Sequence, residues 1–150
     1  MKRTEALIPL SHEHHQALFI AHELRRAEDA NDKALEAFRH FWTEHGLPHF
    51  RVEEEILMPM WRLLGSPDDE AMARVAREHL EIRTLALELT AGEPSVERMG
   101  AMGELLHDHV RYEERELFAA IEDDLDAEAL ARVGAAIAEA ESAAGISTDV

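Results

Sequence analysis

The chain has 150 residues, 46% of them hydrophobic, which is enough for one domain to bury its own core and lose roughly two-thirds of its unfolded surface. No cysteine occurs, so disulfides, thiolate metal sites and thiol catalysis are excluded, and any metal must be held by nitrogen and oxygen. With 32 acidic against 15 basic residues the formal charge is −17, which repels a phosphate backbone or an anionic membrane surface, so no nucleic-acid partner is expected.

Ala, Leu, Glu and Arg dominate and β-branched runs are absent, a composition of helices rather than strands. The basic start Met1-Lys2-Arg3 leads into no long apolar stretch, and no run approaches the roughly 20 apolar residues of a membrane span. A soluble, cytoplasmic protein is therefore expected. Ser11 is placed to cap a first helix over about residues 12 to 29. Asn31 can cap a second, from Asp32 to about Leu64, interrupted near Gly46 and Pro48 and stopped by Gly65. Ser66-Pro67-Asp68-Asp69-Glu70 supplies a cap, a proline at the first helical position and first-turn acids for a third helix reaching about Thr90, where Gly92 ends it. Pro94 and Ser95 open a fourth helix that reaches about Asp124. Asp126 caps an Ala-rich fifth from Ala127 to about Ser142, closed by Gly145. The expected fold is all-α, an up-down-up-down four-helix bundle with a short fifth C-terminal helix, with residues 1–150 forming a single domain.

Laid out at 3.6 residues per turn, each apolar stripe is interrupted by polar groups. The first helix gives Leu10, His14, Ala17, Ala21, Leu24, and the second Phe38, Trp42, His45, His49, Glu53, Ile56, Met60, Leu63. The third gives Met72, Val75, His79, Ile82, Ala86, Leu89, and the fourth Met99, Met102, Leu106, His109, Glu113, Leu117, Ile121. Every bundle helix thus turns a histidine inward, and two of them add an acid. An ionised carboxylate buried without a partner costs several kcal/mol, so two acids among four imidazoles call for something cationic, and a pair of metal ions would meet the need. His49-Glu53 and His109-Glu113 each place imidazole and carboxylate one turn apart on one face.

The stretch from His49 to Met58 aligns without a gap on that from His109 to Phe118, and Glu13-His14 resembles Glu78-His79. A helix pair used twice would bring equivalent ligands in from opposite sides of the bundle.

As an ordered set on four helices, His14, His49 with Glu53, His79, and His109 with Glu113 resemble the hemerythrin-like, or HHE cation-binding, family. Leu10-Ser11-His12-Glu13-His14-His15 and Pro48-His49-Phe50 also look like its bacterial members. The resemblance implies a pair of iron ions joined by an oxo or hydroxo bridge. His14 and His49 would serve one iron, His79 and His109 the other, and Glu53 and Glu113 would bridge them. It implies binding of, or reaction with, dioxygen, peroxide or nitric oxide, turnover making the protein a di-iron oxidoreductase. The alternative is an iron-responsive sensing or iron-handling module that contacts a protein partner through its acidic surface. Zinc, manganese or copper could substitute, since imidazole and carboxylate suit them too.

Two departures from the oxygen carriers bear on the reading. Arg83 stands one turn after His79, where the carriers have a second histidine, and Glu114 takes the place of their last ligand, an Asp. One iron would be short of an imidazole, leaving room for an exogenous ligand. His45, one turn from His49, is a candidate replacement or supporting residue, and Tyr112 a weaker supporting candidate. His12, His15, His22, His40 and His107 read as surface residues. Trp42 and Trp61 read as packing anchors, and Glu54, Glu55, Glu114 and Glu116 as solvated faces.

Overall fold

The computed structural model describes residues 2–144. Helix α1, Ile8–Arg25, follows a 3₁₀ turn at Glu5–Leu7, and α2 is continuous over residues 33–64. Helix α3 is Asp69–Thr90, α4 runs over residues 96–124, and α5 is Ala127–Ala143. Helices α1 to α4 form the up-down-up-down bundle, and α5 packs along α2 and the N-terminal turn. There is no strand among the described residues, and no helix among them is long and apolar enough to cross a membrane.

Several helix ends differ from expectation for identifiable reasons. Helix α1 starts ahead of Ser11, because Pro9 falls in its first turn, where a missing N–H costs nothing. Ser11 lies inside that helix, and its hydroxyl donates to Glu114 Oε2 at 2.8 Å. The helix stops at Arg25, short of residue 29. Asp32, not Asn31, caps α2 by accepting the Ala34 N–H at 2.9 Å. Asp68, not Ser66, caps α3, leaving Pro67 outside the helix, and the Ser66 N–H donates to Asp124 Oδ2 at 2.7 Å. Ser95 and Asp126 cap α4 and α5 as expected. Gly145 lies outside the described residues.

The expected interruption of α2 near Gly46 and Pro48 takes the form of a π turn at Trp42–Gly46, a second one following at Glu53–Leu57 ahead of Pro59. In each, a backbone N–H reaches back five residues, from Leu47 to Trp42 and from Met58 to Glu53. The chain thus absorbs one extra residue ahead of a proline without breaking. A third π turn, Glu113–Leu117, occupies the equivalent place in α4.

The extra residue shifts the register of everything after it. Beyond Glu53 the buried side chains are Leu57, Met58 and Trp61, whereas Ile56 and Met60 are half-buried and Leu63 is 75% exposed. On the other helices the expected stripes are buried, Met72 alone being half-buried. Their apolar residues form two clusters. One gathers Leu24, Phe38, Trp42, Ile82, Met102 and Leu106, and the other Leu10, Trp61, Val75, Phe118, Ile121 and Ile137. On α1 and α3 the inward histidine lies between a segment of the first cluster and a segment of the second, and on α2 and α4 the change comes just after it, between Phe50 and Val52 and between Val110 and Tyr112, so a polar layer of histidines and acids divides the core.

Candidate metal centre

Within that layer His14, His49, Glu53, His79, His109 and Glu113 are each at most 5% exposed. The structure brings all six together. The Nε2 atoms of His14 and His49 are 3.2 Å apart, as are those of His79 and His109. Glu53 reaches one histidine of each pair, with Oε2 at 3.1 Å from His49 Nε2 and Oε1 at 3.1 Å from His79 Nε2. Glu113 reaches the other two, with Oε1 at 2.8 Å from His14 Nε2 and Oε2 at 3.1 Å from His109 Nε2. Two groups of four ligand atoms result, and both carboxylates belong to both groups.

Each imidazole is gripped on its other nitrogen by a carboxylate from a different helix. Glu13 of α1 meets His49 Nδ1 at 2.5 Å, and Glu54 of α2 meets His79 Nδ1 at 2.7 Å. Glu78 of α3 meets His109 Nδ1 at 2.8 Å, and Glu114 of α4 meets His14 Nδ1 at 2.6 Å. Each helix therefore orients the histidine of the next, and α4 closes the ring on α1. With Nδ1–H donated outward, the lone pair of Nε2 points into the layer.

That arrangement sets acceptors against acceptors. Three of the four oxygens of Glu53 and Glu113, namely Glu53 Oε1, Glu53 Oε2 and Glu113 Oε2, are buried without a hydrogen-bond donor. Cations at the centre of each group would resolve the conflict. Nitrogens 3.2 Å apart subtend about 100° at an ion about 2.1 Å from each, between octahedral and tetrahedral angles. Without a metal, protons take that place. Burial pulls the His79 pKa down, but the carboxylates of Glu113, Glu53 and Glu54 outweigh it and raise the group to about 11. Burial and the opposing charge of Glu113 leave His109 at about 9, and His14 and His49 are raised by the same contest. Glu113 resists the upward push of burial and stays well below the ordinary carboxylate range because His109, His14 and His79 face it.

The four outer carboxylates escape a sequence reading that looks only for ligands. Glu54 and Glu114 are not merely solvated, as expected, but hold His79 and His14, while Glu55 and Glu116 are exposed. The repeated Glu13-His14 and Glu78-His79 pairs carried the signal for the other two. Arg83 donates to Glu54 Oε1 at 2.8 Å and so braces the grip on His79. His45 belongs to neither group and instead lines a cavity beside them. Tyr112 turns onto Arg74, whose guanidinium carbon lies 3.8 Å from the ring centroid. His15, His22 and His40 are exposed and His12 and His107 half-buried, outside both groups. Trp42 and Trp61 are buried anchors, and the Trp61 indole N–H donates to Asp124 Oδ2 at 2.7 Å.

One acid has no counterpart in the repeat. Glu141 of α5 is fully buried, neither of its oxygens has a hydrogen-bond donor, and the polar group it faces is the Glu13 carboxylate. Burial and the charge of Glu13 push its pKa up to about 8.

A family model described as the hemerythrin HHE cation binding domain matches residues 7–141. No curated protein and no solved structure matches the chain. Together, the match and the buried His/Glu groups suggest a metal-binding domain.

Proposed function

Because the chain belongs to the hemerythrin HHE cation-binding family, we propose that it holds two iron ions and binds or reacts with dioxygen, peroxide or nitric oxide. The observation that carries this reading is the sharing of Glu53 and Glu113 by two histidine pairs. His14 and His49 would hold one ion and His79 and His109 the other, with Glu53 and Glu113 available to both. Iron bound there supplies one-electron redox change at each of two adjacent centres.

The protein's own contribution is orientation and exclusion of water. The outer carboxylates fix each imidazole with Nε2 inward, so no side chain has to rotate on binding. A cavity of about 20 Å³ is lined by His14, His49 and His109 together with Phe41, Trp42 and Val110, room for a ligand about the size of one water. Arg83, which engages Glu54, supplies no ligand one turn beyond His79, and a metal held there would have room for a small exogenous ligand. The residues 1–150 act as one domain, because the ligands come from four helices of one bundle.

Elemental analysis of the purified protein is expected to give about two iron atoms per chain, with His49→Ala/His109→Ala reducing uptake below one. Reduced protein mixed anaerobically with each oxidant in a stopped-flow spectrometer should change its spectrum. Metal present with no response to dioxygen, peroxide or nitric oxide would leave a metal-binding domain and remove the oxidant chemistry.

A further inference from the structure

The six ligand residues are each at most 5% exposed, so a small molecule has to cross protein to reach the centre. Beside them lies the cavity of about 20 Å³, and the internal repeat explains why it opens on one side of the bundle. Three positions after His14 stands Ala17, where α3 has Ile82 after His79. Three positions before His49 stands Gly46, where α4 has Leu106 before His109. Ile82 and Leu106 are large and buried, whereas Ala17 and Gly46 leave the space that forms the cavity. Gly46 also lets two of the cavity walls lie against the backbone, since a Cβ there would fall 2.8 Å from the Trp42 ring and 3.1 Å from that of Phe41.

Every residue lining this cavity is buried except Glu13 and His45, so these two stand between it and solvent. Glu13 is committed, because it grips His49 and moving it would release a ligand. His45 is not. Each ligand histidine is held at Nδ1 by a carboxylate, whereas His45 takes part in no hydrogen bond among the described residues. Its ring meets that of the exposed His40 edge-on, centroids 6.5 Å apart. His45 is carried by the π turn at Trp42–Gly46, a local widening that the equivalent part of α4 lacks, being regular from Val96 to Tyr112. An imidazole has an apolar body that can cover the cavity and a polar tip that water solvates when the ring swings out, so neither position costs much.

We propose that His45 is the door of the metal centre, the residue that moves when a small ligand passes between solvent and the cavity. It sets the rate of entry and exit rather than the strength of binding. This inference rests on the small-ligand reading above and adds the route.

A door changes association and dissociation alike, which separates it from a residue that touches the ligand. Nitric oxide bound by the reduced, iron-loaded protein, and then trapped as it leaves, gives the two rates. In His45→Ala both should rise about tenfold, and in His45→Phe, whose ring has no polar tip to draw it into water, both should fall about tenfold, with Kd within about twofold of wild type in each. Metal-free protein supplies a second readout. In a Trp61→Phe background Trp42, which lines the cavity, is the remaining indole. The rate at which dissolved dioxygen quenches its fluorescence should rise in His45→Ala and fall in His45→Phe. The inference is overturned if both nitric oxide rates stay at the wild-type values, if Kd moves because one rate alone changes, or if Trp42 quenching is the same in both variants as in the parent. A wild type that binds no nitric oxide removes the oxidant reading alone, and the quenching measurement then decides the door by itself.

Discussion

Loading the metal centre at neutral pH should release protons, and the metal-free and loaded proteins should respond to pH in opposite senses. In the metal-free protein His79 is raised to about 11 and His109 to about 9, against an unfolded value near 6.5. A pKa raised on folding contributes stability that is complete below the unfolded value and is lost as pH climbs through the folded one. Between about pH 6.5 and 9 each of these histidines should therefore cost the metal-free protein about 1.4 kcal/mol per pH unit, with His79 continuing to about pH 11. A cation that takes both Nε2 atoms must displace both protons, so its conditional affinity should rise about a hundredfold per pH unit near pH 7. Calorimetric titration of Zn²⁺ at pH 7 in buffers of different ionisation enthalpy counts the protons, and about two per ion are expected at the His79–His109 position. Release of less than one proton per chain, with a metal-free Tm that is flat from pH 7 to 10, would refute the electrostatic account of the site.

Chelation should lower the Tm at neutral pH, because ligand binding to the folded state alone adds about 2.7 kcal/mol at a hundredfold excess over Kd, and differential scanning calorimetry with and without chelator reads it. Glu54→Gln and Glu78→Gln should each weaken metal binding about 10- to 100-fold while circular dichroism stays helical, since each removes the carboxylate gripping a ligand histidine. Two glycines of α4 should respond oppositely to alanine. A Cβ at Gly103 would sit 2.7 Å from the Ala21 carbonyl oxygen and 3.1 Å from the Arg25 nitrogen, backbone atoms that cannot yield, so Gly103→Ala should destabilise by about 1–3 kcal/mol. At Gly100 a Cβ meets nothing within 4 Å, and Gly100→Ala should stabilise by about 0.5–1 kcal/mol. Urea denaturation of both variants settles the pair.

The sequence was most legible where one physical rule dominated. Alternation of apolar and polar residues at helical period located the four bundle helices and brought out His14, His49, His79 and His109, because a buried imidazole stands out against a stripe of Leu, Met and Ala. Periodicity failed after Glu53, where a π turn adds a residue with no local signature, and Leu63, expected inward, is 75% exposed. Glu54 and Glu114 each lie one position past a buried acid, where helical periodicity points to solvent, yet both reach across to a neighbouring helix. Glu141 was legible in principle: Val133, Ile137 and Glu141 repeat at four-residue steps on one face of α5, and all three are buried. It faces Glu13, 128 positions earlier in the chain, and no local pattern links the two.

The ring of contacts also explains why the repeat has to be complete. Each bundle helix supplies a ligand and, one residue away, the carboxylate that aims another helix's ligand. Sliding α3 along its axis, for example, would displace His79 directly and release His109 by withdrawing Glu78. Helix register is thus fixed by the polar layer as well as by the two apolar clusters on either side of it. Apolar packing tolerates exchange among Leu, Met and Ile of similar volume, whereas charge-assisted hydrogen bonds of 2.5–2.8 Å do not tolerate a shift of one turn. A bundle with a plain apolar middle would pack with more freedom of register, and it is the buried carboxylates, costly without cations, that hold these four helices to one alignment.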